Sequence, residues 1–429
     1  MPGPADKKYF IDTHCHLFNI DHIPLYAFLD RINLNLGKWG ALFLNLNKAL
    51  DENKKFMEFF ESEPEKNIEN LVSEINQIAG VGDLQDRCKI LTPLAMDFEL
   101  ADNCRHETLS NQVSRLLGSI KNSKGILDQY NFKVLPFLGL DLRRFDGIDE
   151  NGIENHLKRL ISDYAGSIKD ADGRHDPANL ESGDIIGIKL YPPIGFNPYP
   201  ENEATRRKYL AVYRTIIQLD LPVTVHCQKV SYNLVDKKKK EQFTTPINWE
   251  RVLKEQDLKD LRINLAHFGG EEGIKATLWD DESLWGDDFF GGINFDRVNQ
   301  NNWTFAIIKL LKSYKNTYSD ISAFDYKDRE AVFALGWLLS LDHAGEFNSL
   351  GSFKLKDKLL WGSDRPMILP QFSSYKEYFD GFLKAIDISQ MNFGSFNTPK
   401  KKYGEAKIPV QNDLLESFIN INPMKFLFK

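Results

Sequence analysis

The 429-residue sequence contains only four cysteines, no long apolar run and no excess of basic residues. The cysteines include no C-x-x-C pair and are too few for a disulfide framework in a chain of this length, so we expect reduced thiols. Lysines and arginines number 54 against 61 aspartates and glutamates, which gives a net charge of −7. General binders of nucleic acid or of anionic membranes are usually basic, so neither is an expected partner.

Targeting and membrane-spanning segments are also missing. The apolar stretch "WGALFLNL" is too short to cross a bilayer and is interrupted by polar residues. The N-terminal "MPGPADKKYF" lacks the apolar core of a secretory signal, so the sequence predicts a cytoplasmic protein. What is present, 42% hydrophobic and 27% charged residues, is typical of a globular chain.

Apolar runs rich in Val, Ile and Leu recur along the chain and alternate with helical patterns. The eight runs are "KYFIDTHCH", "RCKILTPLAMD", "FKVLPFLGLDLR", "DIIGIKLYPP", "LPVTVHCQ", "LRINLAHFGG", "NTYSDIS" and "DKLLWGSDRP". Between them, segments such as "ENEATRRKYLAVYRTIIQLD" carry apolar residues at helical spacing, and Thr245 and Pro246 form a helix start signal. Continuous apolar strands alternating with helices predict parallel strands buried on both faces. Eight such units predict an α/β fold, a (β/α)8 TIM barrel whose functional side chains gather at the carboxyl ends of the strands.

The chain is longer than the roughly 250 residues of a plain barrel, so it is expected to carry insertions within a single domain of residues 1–429. Residues 17–88 follow the first strand, and "PLYAFLDRINL", "KKFMEFFE" and "NIENLVSEINQIAG" predict short helices there. Because this insertion leaves the barrel at the end of the first strand, we expect a helical cap over the mouth. Residues 271–303 are rich in Gly and Asp and predict a loop insertion after the sixth strand. The lysine runs at 237–240 and 400–402 predict solvated loops.

Metal-competent side chains stand at the ends of five predicted strands. Alternate side chains of a strand share a face, so His14 and His16 project together and Cys15 points away. The other strand ends carry Lys189, His226, His267 and Asp364. Imidazole and carboxylate are good Zn²⁺ ligands, and Mn²⁺ or Fe²⁺ also fits them. Any one of these residues alone is more often structural, but their joint placement favours a divalent metal site.

The order of these motifs resembles the amidohydrolase superfamily. D-x-H-x-H near the start, one histidine each at the fifth and sixth strands, and G-S-D at the eighth strand follow that family's order. The segments "PFLGLDLRR", "GIKLYPPIGF", "LAHFGG", "LLWGSDRP" and "NINPMKFLF" look like the amidohydrolase-related branch of these metal-dependent TIM-barrel hydrolases, often called amidohydrolase 2. The likeness covers the chain outside the insertions. Its metal motifs are specific for the superfamily and say little about the substrate.

The resemblance implies a role for each metal-competent residue. The implied metal ligands are His14, His16, His226 and Asp364. Asp364 is also implied to act as general base and then as general acid. His267 is implied either to orient the water beside one metal or to ligate a second one. Lys189 stands in a "KLYP" string that resembles dihydroorotases; it is implied to bridge two ions as a carboxylated lysine, or to stay a free amine beside one ion.

These roles imply a metal-dependent hydrolase. A bound divalent metal lowers the pKa of water from 15.7 toward about 7, and this water attacks an amide, lactone or ester carbonyl while Asp364 moves the proton. The alternative on the same barrel is a lyase, a one-metal decarboxylase or hydratase of a small carboxylic acid. A non-catalytic binding protein is a third interpretation, which the intact set of metal residues disfavours.

Substrate contacts are predicted beside the metal. Arg143 and Arg144 follow the third strand, where a guanidinium fork suits a carboxylate, and a salt bridge to Asp141 or a neighbouring loop is an equal alternative. Tyr191 and Arg365 follow Lys189 and Asp364 directly and are placed to reach the pocket.

Other polar residues near the strand ends have less specific interpretations. Asp320, at the seventh strand, is expected either to order a ligating histidine or only to cap the strand's end. His22, at the start of the cap insertion, is expected to close on the substrate, and His106 is expected either to approach the site or to start a helix. The expected partner is a small molecule, with a carboxylate if the arginines bind it. The segment "PLYAFLDRINLNL" offers a surface for a homo-oligomer.

Overall fold

The fold is described from a computed structural model over residues 8–18, 21, 54–78, 84–101, 108–165, 171–232, 234–279, 302–388 and 411–428. Within these ranges the strands are β1 (Tyr9–Cys15), β2 (Cys88–Pro93), β3 (Phe132–Val134), β4 (Phe137–Leu140), β5 (Gly187–Leu190), β6 (Val223–Gln228), β7 (Ile263–Gly269), β8 (Thr317–Asp320) and β9 (Leu359–Leu360). Each strand lies within one of the eight predicted apolar runs.

Helices lie between and around these strands. They are α1 (Lys54–Glu61), α2 (Pro64–Asn76), α3 (Leu109–Asn122), α4 (Lys124–Gln129), α5 (Ile153–Ala165), α6 (Ala171–Arg174), α7 (Glu203–Gln218), α8 (Lys237–Thr244), α9 (Pro246–Lys254), α10 (Glu271–Trp279), α11 (Trp303–Ser313), α12 (Arg329–Ala344), α13 (Tyr375–Ile386), α14 (Gln411–Glu416) and α15 (Asn422–Leu427). The helix predicted from Thr245 and Pro246 is confirmed as α9, whose first turn is capped by the Thr245 side chain. Across the described ranges, no helix has the length and apolar character that crossing a membrane requires.

All strand pairs are parallel, and together they close a barrel. β1 to β3 form one ladder, and β4 to β9 form the other. Two bridges join the ladders: Leu94, just after β2, pairs with Phe137 of β4, and Cys15 of β1 pairs with Arg365, just after β9. The predicted (β/α)8 barrel is therefore confirmed, with β3 and β4 as two halves of its third strand.

The third barrel strand is interrupted at Pro136, which has no N–H to donate to a ladder. Pairing with the second strand continues on both sides of it, since the Leu135 amide donates to the Leu91 carbonyl at 2.9 Å. In β4, Gly139 passes so close to the second strand's continuation that a Cβ would lie 2.6 Å from the Asp97 amide nitrogen. The strand thus bends without leaving the barrel.

The amino end of the barrel is closed by apolar side chains from helix α15. Phe426, Leu427 and Phe428 are at most 4% exposed and join a cluster with Tyr9 and Phe137 on the barrel strands. Burial of each such side chain contributes about 1.5–3 kcal/mol. Because this end is packed, a cavity inside the barrel can open only at the carboxyl ends of the strands.

The insertion after β1 is helical where it is described. The segments "KKFMEFFE" and "NIENLVSEINQIAG" are confirmed in α1 and α2, while "PLYAFLDRINL" lies outside the described residues. Phe56, Phe59 and Phe60 of α1 are buried, and the Phe60 ring lies 5.9 Å from that of Phe18, just after β1. The insertion therefore packs at the carboxyl end of the first strand.

Two segments expected to be loops contain helices. Residues 271–279 form α10, in which Ile274 and Leu278, four positions apart, are buried; residues 280–301 lie outside the described residues. The prediction of a loop for the lysines at 237–240 was wrong, since they begin helix α8. Asp236 caps this helix through the Lys239 amide, and Lys240 turns its side chain inward, so lysine's good helix propensity prevails over its charge. The run at 400–402 is not among the described residues.

A buried ion pair on the outer face of the barrel gives a test of the fold. Lys312 Nζ of α11 lies 2.8 Å from Asp342 Oδ1 of α12, and their side chains are 0% and 3% exposed. We expect Lys312→Met to lower the free energy of unfolding by about 3–5 kcal/mol, because it leaves a buried carboxylate without its cation. Lys66→Met, which breaks the exposed pair with Glu69, should cost less than about 1 kcal/mol. Equal denaturation midpoints in the two variants would contradict this assignment.

Candidate metal centre

Four imidazoles, one lysine and one carboxylate meet at the carboxyl end of the barrel. They are His14, His16, Lys189, His226, His267 and Asp364, and each is at most 6% exposed. The His14 ring centroid lies 5.4 Å from that of His16 and 4.8 Å from that of His267, and 4.8 Å separates the rings of His226 and His267. The closed barrel thus brings together all the side chains predicted to bind metal.

The protein fixes the proton of His14 on one nitrogen. Nδ1 lies 2.9 Å from Asp320 Oδ2 and 3.2 Å from Ser322 Oγ. Because a carboxylate only accepts, Nδ1 carries a proton, and in the neutral ring Nε2 then keeps the lone pair. Nε2 is buried and has no hydrogen-bond partner among the described residues. A buried acceptor without a donor is the state expected of a metal-ligating nitrogen.

His16 and His226 are fixed by backbone carbonyls. His16 Nδ1 donates to the Leu94 carbonyl at 2.9 Å, and His226 Nε2 donates to the Val230 carbonyl at 2.9 Å. Each ring therefore keeps a lone pair on its other nitrogen, Nε2 in His16 and Nδ1 in His226.

His267 completes the set. Its Nδ1 lies 2.9 Å from Ser322 Oγ, whose own proton is directed to the Asp320 carboxylate, so Nδ1 is the donor. His267 Nε2 lies 3.1 Å from His226 Nδ1. With the protons placed as above, two lone pairs face each other at this distance and repel unless a cation lies between them. The nitrogen donors of the cluster therefore fit a divalent metal.

Asp364 supplies the carboxylate of the cluster. Its Oδ1 lies 3.3 Å from His14 Nε2 and 3.2 Å from His16 Nε2. Burial by itself raises the pKa of Asp364, but the neighbouring histidines, which are cations in the acid range where this carboxyl titrates, outweigh burial and hold that pKa well below its usual range. The side chain is therefore ionised at neutral pH, as a metal ligand or a general base must be.

Burial keeps the other rings neutral. It lowers the pKa of His267 to about 4, against the opposing effect of Asp364. It also lowers the pKa of His16 and takes that of His226 well below its usual value. At neutral pH these rings carry no second proton, so their inward nitrogens remain available to a metal.

The backbone turns sharply at both ends of the cluster. His267, Phe268 and Asp364 have φ angles of +73°, +49° and +54°, a region that residues other than glycine rarely adopt and that is frequent at functional sites. Gly269 continues the turn with φ +83°, and a Cβ there would lie 2.7 Å from the Thr304 amide nitrogen. The backbone path therefore requires the glycine at position 269 of the "HFGG" sequence.

Asp320 holds the cluster from β8. Its Oδ2 accepts from His14 at 2.9 Å and from Asn264 Nδ2 at 2.7 Å, and its Oδ1 accepts from the amides of His267 and Ser322 at 3.0 and 3.1 Å. Although Asp320 also groups with His14 and His267 as a candidate metal set, both its oxygens already receive N–H donors. The contact expected between Asp320 and a candidate ligating histidine is thus present.

Lys189 projects from β5 into the same cavity. Its side chain is buried, and Nζ has no hydrogen-bond or ion-pair partner among the described residues. Burial lowers the pKa of Lys189 to about 8, against the opposing effects of Asp320 and Asp364. A buried ammonium that forms no hydrogen bond is costly.

The three arginines predicted to bind substrate are paired with carboxylates. The pairs are Arg143 with Asp141, Arg144 with Asp97 and Glu99, and Arg365 with Glu74, all at 2.6–2.8 Å. None of the three arginines is among the residues that line the cavity. For Arg143, the alternative salt bridge to Asp141 is the contact that the structure shows.

Tyr191 does line the cavity, and several of its neighbours there were not predicted. The cavity is also lined by Phe18, Met96, Gln228, Val230, Ser231, Tyr232 and Met367. Gln228 follows His226 by two positions in β6, and that spacing was the available signal. The others lie in turns and loops, which carry no periodic pattern. His22 and His106 lie outside the described residues.

Comparison with known proteins gives structural matches only. No family model and no curated protein matches the sequence. The structure is similar to an amidohydrolase from Burkholderia multivorans with bound HEPES (12% identity, 90% of this chain and 94% of that chain, TM-score 0.43) and to the same amidohydrolase with bound zinc (11%, 75% and 82%, 0.38). It is also similar to a phosphotriesterase homology protein from Escherichia coli complexed with phosphate in its active site (10%, 98% and 99%, 0.41). At these identities and TM-scores, the matches assign neither substrate nor activity to this chain.

The close approach of β1 to the chain after β9 gives a test of the site. A Cβ on Gly362 would lie 2.6 Å from His14 Cβ and 3.1 Å from the His14 amide nitrogen. We expect Gly362→Ala to displace His14, and so to lower both the melting temperature and the zinc bound per chain. Gly118→Ala in α3, where nothing lies within 4 Å, should instead raise the stability by up to about 1 kcal/mol. Normal zinc binding by Gly362→Ala would show that the spacing of the two strands is not required.

Proposed function

We propose that this protein is a metal-dependent hydrolase that cleaves an amide, lactone or ester. The observation that carries the proposal is the convergence of four imidazole lone pairs and one ionised carboxylate in a buried cavity. Each of the four imidazoles has its other nitrogen paired with an acceptor of the protein. This combination of ligands and supports is typical of zinc sites in hydrolases. The family resemblance of the motifs agrees with it.

The residues of the proposed site have two roles, as metal ligands and as the general base. The proposed metal ligands are His14, His16, His226 and Asp364, with His267 beside them. A divalent ion in this position supplies Lewis acidity, which makes water a nucleophile at neutral pH and polarises a carbonyl oxygen. Asp364, ionised and adjacent to His14 and His16, takes the proton of the attacking water and returns it to the leaving group. His267 is neutral, and its Nε2 points toward the position of the proposed metal ion.

Lys189 is proposed to be carboxylated. Its Nζ is buried in the cavity without a partner, and a pKa of about 8 makes the neutral amine more abundant than in an exposed lysine. In the reaction, the amine nitrogen bonds to the carbon of carbon dioxide and one proton is released. The resulting carbamate has two oxygens, enough to bridge two ions. In that case His267 is a ligand of the second ion.

The lyase remains the alternative on the same barrel. A decarboxylase or hydratase would use one ion, leave Lys189 a free amine and bind a small carboxylic acid. Among the described contacts, none favours this alternative over hydrolysis. A non-catalytic binding protein would not need a general base at the position of Asp364.

Removal of the carboxylate at position 364 tests the proposed chemistry. Because the amide cannot take a proton from water, Asp364→Asn should lower kcat about 100-fold or more on whichever ester, lactone or anilide of a chromogenic panel the wild type cleaves. Metal content and melting temperature are measured on the same samples, which separates lost chemistry from lost metal. The matched control is Asp176→Asn, at the opposite end of the barrel, where either side chain can cap the turn at Pro177. Unchanged turnover in Asp364→Asn would exclude Asp364 as the base.

Metal content tests the state of Lys189. Elemental analysis of protein purified without chelator or added metal should give about two ions per chain, the number that a bridging carbamate serves. Lys189→Met should reduce this to about one. Lys89→Met, which replaces a buried lysine on barrel strand β2, should leave it unchanged. One ion per chain in both the wild type and Lys189→Met would contradict the carbamate and would place His267 beside a single metal.

A further inference from the structure

The wall of the cavity outside the metal cluster carries no formal charge among the described residues. Lys189 and Asp364 are the charged side chains that line the cavity, and both belong to the cluster. The remaining wall is built from the uncharged side chains Phe18, Met96, Tyr191, Gln228, Val230, Ser231, Tyr232 and Met367. We propose that the substrate is uncharged and apolar outside its reacting group, with Gln228 as the residue that enforces this preference. The proposal rests on the proposed hydrolase function and names its substrate class.

The apolar part of the wall is preformed. The rings of Phe98, Tyr191 and Tyr232 pack edge to face, with centroids 6.1 to 6.4 Å apart. The Tyr232 amide donates to the Tyr191 hydroxyl at 3.0 Å, and the Tyr232 hydroxyl lies 3.7 Å from Met367 Sδ. Rings held in this way offer apolar area to a ligand at little cost in conformational entropy.

The two arginines that were predicted to bind a substrate carboxylate from this side already form ion pairs with carboxylates of the protein. Arg143 is held by Asp141, which is 0% exposed, and Arg144 by Asp97, which is 2% exposed. Turning either guanidinium toward the cavity would leave a buried carboxylate unpaired, which costs several kcal/mol. A substrate carboxylate on this side of the cavity would therefore be desolvated without a partner.

Gln228 is a polar side chain of the wall, two positions after His226 of the metal cluster. It follows His226 in β6 and lies against Gly270, where a Cβ would be 3.1 Å from Gln228 Oε1. No hydrogen bond is formed by its amide with another described residue. The next residue, Lys229, lies over the Trp303 ring at 5.6 Å. The carboxamide can thus hydrogen-bond a neutral polar atom of the substrate but supplies no charge.

Binding of a matched pair of amides tests the proposal without depending on turnover. Hexanamide and adipamate have the same carbon chain and the same amide, and differ in a terminal methyl or carboxylate. Calorimetry on the zinc-loaded full-length protein should show hexanamide binding about tenfold or more tightly than adipamate, because with the amide at the metal the terminal carboxylate meets no cation on the wall outside the cluster. Gln228→Arg should reduce or reverse this ratio, whereas the neutral Gln228→Met should leave hexanamide preferred.

Each other outcome decides against the proposal. Equal or tighter binding of adipamate by the wild type, or binding of neither amide, would overturn the assignment of an uncharged, apolar substrate. An unchanged ratio of the two affinities in Gln228→Arg would show that Gln228 does not determine the substrate preference. The hydrolase function is tested separately, by turnover of the hexanoate and hemiadipate 4-nitrophenyl esters. If both esters are turned over and the charged ester is preferred, the proposed substrate class is wrong and the hydrolase function stands. If hexanamide is preferred but no ester, lactone or anilide is turned over, the hydrolase function is wrong and the binding preference stands.

Discussion

Each imidazole at the mouth of the barrel is held by a hydrogen bond from the nitrogen that does not face the cluster. Asp320 and Ser322 hold His14 and His267, while carbonyl oxygens hold the other two rings. These bonds fix the position of every proton, and so decide where the lone pairs point. Without them the rings could rotate or exchange tautomers, and the convergence of lone pairs that defines the site would be lost.

The barrel supplies these holding groups because neighbouring strands end at the same level. Asp320 ends β8, beside His267 on β7, and its second oxygen reaches His14 across the cavity. The packed amino end supports this arrangement from below, since Phe426 and Phe428 fill the space that the strands enclose there. The polar cluster therefore occupies the carboxyl end of the barrel interior, and the apolar cluster occupies its amino end.

The strands and the metal-competent residues could be predicted because both follow short periodic rules. Alternation along a strand placed His14 with His16, and the carboxyl-end rule for parallel barrels brought residues of distant segments to one place. Pairings across long sequence separations could not be predicted. Asp97 lies 47 positions before Arg144, and no local pattern links them. The helix at 237–244 was missed because a run of charge was weighed without the aspartate that caps it.

Glu74 ties the insertion after β1 to the carboxyl end of the barrel. Glu74 of α2 accepts from both terminal nitrogens of Arg365, at 2.7 and 2.8 Å, and from the Tyr375 amide at 2.7 Å. Arg365 is 5% exposed and directly follows Asp364. The insertion is consequently not an exchangeable module: a segment transplanted from another barrel must bring a carboxylate to this point, or it leaves a buried cation unpaired beside Asp364.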